Sequence, residues 1–173
     1  MCRLILISSA VFLGFSASAI ASPDSDAKTI LNTGNVVFSV DEELEGQEAK
    51  ARIERELNRV FGYNAPVYLR TDEEIARCCE SAAELSVSEV CHLYLLLCER
   101  ASFAEELAAL FAEVPHLQDE RMVPMKPDAF WVVPKGSTLT SAFGSKILGA
   151  KKYQNRLTSR NMNTIMKMAE LMN

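Results

Sequence analysis

Cysteine and histidine, the side chains best suited to thiol and metal chemistry, are few in this chain. Cys78, Cys79, Cys91 and Cys98, with His92 and His116, are the candidates for metal or thiol chemistry. Cys78-Cys79 is a vicinal pair without the two-residue gap of a redox or zinc motif, and Cys91-His92 brings no second ligand pair at zinc spacing. In one strand Cys91 and Cys98 would stand about 23 Å apart, too far to bond to each other. The four are therefore expected to be buried thiols or to form one structural disulfide. Gly136 to Lys146, GSTLTSAFGSK, has the residue types of a phosphate loop. Its Gly144-Ser145-Lys146 follows seven intervening residues where a P-loop has four, so it reads as a turn or lid. No GxSxG or HExxH occurs. The carboxylates between Asp41 and Glu56 read as the solvated face of a helix. No catalytic residue, metal ligand or cofactor is assigned, which favours a non-catalytic binding module over a small enzyme with a site between two halves.

The one distinctive chemical feature is charge. The last 45 residues carry seven Lys/Arg and one Asp/Glu, leaving eleven and twenty-two in the preceding 128. Lys146, Lys151, Lys152, Arg156, Arg160 and Lys167 occur with no carboxylate between Ala129 and Ala169. A surface of this kind can hold phosphate. Lys146, Arg160 and Lys167 are the expected direct contacts to an anion, and Asn161 and Thr164 add hydrogen bonds near a helix start, where backbone N–H groups favour negative charge. The competing reading is a solvated face that complements the acidic remainder. Tyr153 is the only aromatic among these charges, which disfavours stacking on nucleic acid.

Stepping along the chain gives the elements that would position these groups. Lys28 to Val40 reads as a hairpin, with Ile30-Leu31 and Val36 to Phe38 flanking Asn32-Thr33-Gly34-Asn35. Residues 41–62 read as a helix with Ile53, Leu57, Val60 and Phe61 on one face and Gly62 past its end. Ala65 to Arg70 is a strand, followed by a capping box of Thr71 and Glu74. The second half repeats the plan. Residues 89–99 are a buried strand, and residues 102–114 a helix with Ser102 and Glu105 as a second capping box, closed by Pro115. ERMVPM and AFWVVP form a hairpin across Lys126-Pro127-Asp128. The basic end from Gly144 onward reads as helical, with an apolar stripe of Met162, Ile165, Ala169 and Met172 and with Arg160, Thr164 and Lys167 on one side.

The hairpin TILNTGNVVFSV, the run RVFGYNAPVYLRT and the closing LTSRNMNTIMKMAEL together resemble the bacterial family called domain of unknown function 1697, over Thr29 to Leu171. The resemblance implies an α+β fold of two ferredoxin-like halves, with the hairpin as second and third strands of the first. It brings no established activity. Members of that family open with a strand, a Gly-rich loop and a helix that residues 1–28 do not reproduce, and they usually have Trp where this chain has Met162.

The N-terminus bears on that difference. Arg3, the apolar run from Leu4 to Phe15 and Ala19-x-Ala21 have the three parts of a secretory signal. The resulting division is a leader over 1–21, an incomplete first half over 22–85 and a second half with C-terminal helices over 86–173. It places the protein outside the cytoplasm, with no membrane span in the mature chain and self-association through exposed sheet surface. RLILISSAVF also suits a first strand, which would keep the protein in the cytoplasm.

Overall fold

A computed structural model describes residues 2–8, 28–30, 34–40, 46–62 and 65–172. The chain divides into two compact units, residues 1–77 with 166–173, and residues 78–165. The units divide inside helix α2 (Asp72–Ala83) and inside helix α5 (Met162–Met172).

In unit 1, β1 (Cys2–Ser8), β2 (Lys28–Ile30), β3 (Asn35–Val40) and β4 (Val67–Thr71) form an antiparallel sheet in the order β2-β3-β1-β4. The expected hairpin is β2 and β3, and Gly34 adopts the positive φ, 75°, that its turn requires. β1 is the main departure from expectation. Residues read as part of a leader pair along six positions with β3 and five with β4. Their β-branched and Leu side chains suit a two-sided central strand as well as a leader core, and Ile7 is fully buried. The first half thus has the strand it was expected to lack. The Gly-rich loop, the helix after it and a cleavage site after Ala21 fall among residues 9–27, outside the described residues.

Helix α1 (Gly46–Phe61) buries Ala49, Ile53 and Leu57 at helical spacing, while Val60, expected on that face, is exposed. The α1 residue Glu54 accepts a hydrogen bond from the backbone N–H of Val67, 3.0 Å, and so ties α1 to the start of β4. The capping box forms as expected: Glu74 N–H donates to Thr71 Oγ1 at 3.2 Å, and Thr71 N–H to Glu74 at 2.9 Å.

Unit 2 runs β5 (Cys91–Cys98), α3 (Ala101–Glu113), β6 (Arg121–Met125), β7 (Asp128–Pro134), α4 (Ala142–Gly149), a short 3-10 helix (Lys151–Tyr153) and β8 (Leu157–Asn161), then α5. Its sheet is again antiparallel, in the order β6-β7-β5-β8. One core gathers Leu96, Phe103, Leu107, Trp131, Phe143, Ile147 and Leu157, from both helices and three strands. Asp128, just past the hairpin turn, is buried and accepts a hydrogen bond from Cys98 N–H, 2.9 Å. The fold is α+β, as expected.

Two local readings need correction. The second capping box does not form, because α3 starts one residue earlier, at Ala101, and Ser102 Oγ accepts from Arg100 Nε at 2.7 Å. The basic end is not helical throughout, because Leu157 to Asn161 pair with β5 as an edge strand. Of the cysteines, Cys78, Cys91 and Cys98 are buried and Cys79 is half-buried, as the buried-thiol reading expects. Among the described residues no helix is long and apolar enough to cross a membrane.

Candidate anion-binding site

The residues singled out for anion binding fall on three elements. β8 pairs with β5 in regular register, Leu95 opposite Arg160 and Tyr94 opposite Asn161. Side chains alternate along a strand, and Leu157 points into the core beneath α3 and α4. Arg160, an odd number of residues on, therefore lies with Thr158 on the opposite face. Arg160 Nη1 donates to Thr158 Oγ1 and to the Ser159 carbonyl, each at 2.8 Å, which holds the guanidinium against its own strand. Asn161 then ends the strand and caps α5, its Oδ1 accepting from Asn163 N–H at 2.9 Å. Thr164 follows in the first turn of α5, half-exposed.

Lys146 is not brought to this group. It is exposed on α4, whose Phe143 and Ile147 pack into the core on the Leu157 side of the sheet. Arg160 is in the strand rather than on the helix with Thr164 and Lys167, as expected from sequence. Lys167 is exposed on α5 past Ile165, where unit 2 ends. The part of the site contained in one unit is thus Arg160, Asn161 and Thr164. The α5 stripe is buried at Met162, Ile165, Met168 and Met172, with Met168 where Ala169 was expected.

The basic end is also partly neutralised. Arg156 donates from Nε to Glu99 at 2.6 Å and from Nη1 and Nη2 to Glu106 at 3.2 and 3.3 Å. Arg100 bonds the same two carboxylates at 3.1 and 3.2 Å. The Arg156 guanidinium also sits 3.9 Å from the centroid of the Phe103 ring. Hydrogen bonding to Glu99 and then Glu106 raises the pKa of Arg156, and hydrogen bonding from Arg156 lowers that of Glu106. Shifts of this kind can mark a functional site, but here they arise within a closed four-residue network that fastens the start of β8 to the end of β5. Lys152 rests over its neighbour Tyr153, 4.6 Å from the ring centroid.

Residues 23–129 match the family described as "Protein of unknown function (DUF1697)". The chain belongs to that family. The DUF1697 match stops short of β8 and α5, so the Arg160 group lies outside it. Among solved structures, the conserved bacterial protein SP0830 from Streptococcus pneumoniae is similar over 99% of each chain, with a TM-score of 0.73 at 16% identity. At that identity the likeness is one of fold. No curated protein matches.

Sequence reasoning missed the polar pairs made across the fold. Buried Glu120 accepts from Trp131 Nε1 at 3.1 Å and from Leu117 N–H at 3.0 Å, fixing the loop before β6 onto β7. The lone Trp and a Glu eleven residues before it give no spacing signal. His116 stacks on Phe111, 4.1 Å between ring centroids, and His92 meets Tyr94 edge-on at 5.9 Å. Among the described residues no three His, Cys, Asp or Glu side chains gather as metal ligands.

Proposed function

We propose that this DUF1697 protein is a non-catalytic binding module that takes a small phosphorylated ligand where β8 passes into α5. The observation that carries the reading is Arg160, held by two 2.8 Å hydrogen bonds at the end of an edge strand that runs directly into a capped helix start. An arginine two residues before a helix start suits a phosphate oxygen better than a diffuse cationic face does. Thr164 supplies a hydroxyl in the first turn of the helix. The β-α-β-β-α-β order of unit 2, and the same strand order in both sheets, support taking each half as ferredoxin-like. For residues 2–8 we favour retention as β1 in a cytoplasmic protein over removal with an exported leader, on the strength of their central place in the sheet.

The test is titration with inorganic phosphate and pyrophosphate, followed by amide chemical shifts, at low and physiological salt. Arg160→Ala should weaken binding roughly tenfold or more, the loss of one charge-assisted contact. Lys146→Ala, on the other face of the sheet, should leave it unchanged. Equal binding by wild type and Arg160→Ala, or equal losses in the two variants, would refute the site.

A further inference from the structure

Unit 2 has three exposed large apolar side chains among the described residues, Val90, Leu117 and Leu139, at 63, 39 and 69% exposure. Single surface apolar residues are ordinary, whereas their convergence on one end of a unit is not. All three lie on loops at the end where β5 begins and β7 finishes. Lys135 N–H donates to the Val90 carbonyl at 2.9 Å, joining the loop after β7 to the one before β5. Arg121 donates to the Ser86 carbonyl and joins the start of β6 to that same loop. The Glu120–Trp131 bond then fixes the Leu117 loop to β7. The three apolar side chains therefore ride on a cross-linked platform.

The rim of this end is acidic. Glu84, Glu89, Glu113 and Asp119 are exposed on the same loops and on the last residue of α3. Against them stand His116, Lys135 and the already engaged Arg121. A few exposed apolar side chains that share these loops with carboxylates complement a helix with one apolar and one cationic face.

We propose that this end of unit 2 docks a basic amphipathic segment of a partner protein, independently of the Arg160 site. The apolar face of the segment covers Val90, Leu117 and Leu139, and its Lys or Arg residues meet the carboxylate rim.

Binding of a labelled amphipathic Lys/Leu peptide to the full chain, read by fluorescence anisotropy, tests this. A Glu/Leu peptide of the same pattern and a Lys/Ser peptide serve as controls. The Lys/Leu peptide should bind at least roughly tenfold more tightly than either control, since each lacks one half of the recognition. A Val90→Ser/Leu139→Ser double variant should lose roughly tenfold with its thermal midpoint kept, because both side chains are largely in solvent. Leu171→Ser, exposed on α5 in unit 1, should bind as wild type. Wild-type binding by Val90→Ser/Leu139→Ser, equal binding of Lys/Ser, or an equal loss in Leu171→Ser would overturn the proposal. So would a concentration-dependent dimer in sedimentation that the double variant abolishes, which would make a second copy the occupant.

Discussion

Removing residues 1–21 should unfold the sheet of unit 1. β1 lies between β3 and β4, with six register partners on one side and five on the other, eleven in all. An antiparallel ladder averages about one hydrogen bond per paired residue, each worth about 1 kcal/mol net, so the deletion forfeits on the order of 10 kcal/mol. That equals the whole stability of an ordinary domain, about 5–15 kcal/mol. It leaves β2 and β3 joined over three positions and β4 with no strand beside it. The milder substitution Ile7→Ala, at a fully buried position, should cost about 2–5 kcal/mol. Hydrogen exchange read by mass spectrometry separates the units, because peptides from β3 and β4 report on one and peptides from β5 and β7 on the other. In the deletion the first set should exchange as unfolded chain. The single tryptophan, Trp131, is buried in unit 2 and gives an independent fluorescence signal for it. If β3 and β4 amides stay as protected in the deletion as in the full chain, β1 is dispensable and a cleaved leader becomes the better account of residues 1–21.

Three further outcomes follow from the packing. Glu120→Ala should cost about 1–3 kcal/mol in urea unfolding and shift Trp131 emission, since it strips a buried indole N–H of its acceptor. Gly144→Ala should cost about 1–3 kcal/mol, because a Cβ there would meet the Thr138 carbonyl and come within 2.7 Å of the Trp131 ring; an unchanged denaturation midpoint would count against this packing. Glu106 has its folded pKa lowered below the ordinary carboxylate value, so its contribution is present above that value and lost as pH falls through the folded pKa. Glu106→Gln should therefore narrow the stability gap between neutral and acid pH, and an unaltered gap would show the network idle.

What was legible in the sequence was mostly local. The Thr71–Glu74 box closes over three residues and depends on nothing distant, so it could be read directly. The Ser102–Glu105 pattern looks equivalent, yet Arg100 takes the Ser102 hydroxyl and the helix begins elsewhere. β8 was illegible because only Leu157 and Thr158 of LTSRN are buried and the flanking residues are polar, which leaves almost no period to detect. Missing that strand put Arg160 on a helix and Lys146 beside it, although strand alternation turns Arg160 away from the Leu157 side on which α4 packs. The Arg156 network spans 57 and 50 residues of sequence, a separation no motif records. β1 was ambiguous for a chemical reason: about a dozen apolar residues suit a translocon and a sheet interior equally.

The division of the chain has a consequence for synthesis. Unit 2 is one unbroken stretch, 78–165, whereas unit 1 includes residues 166–173, separated from Arg77 by the 88 residues of unit 2. At roughly 5–20 residues per second, a ribosome needs roughly 5–20 s to travel from Arg77 to Asn173. During that interval unit 1 has its whole sheet but not its closing helical turns, while unit 2 acquires its last residue first. The usual N-to-C order of domain completion is therefore inverted, and the unit begun earliest is finished last. Nascent β1–β4 is thus synthesised well before the last residues of its own unit.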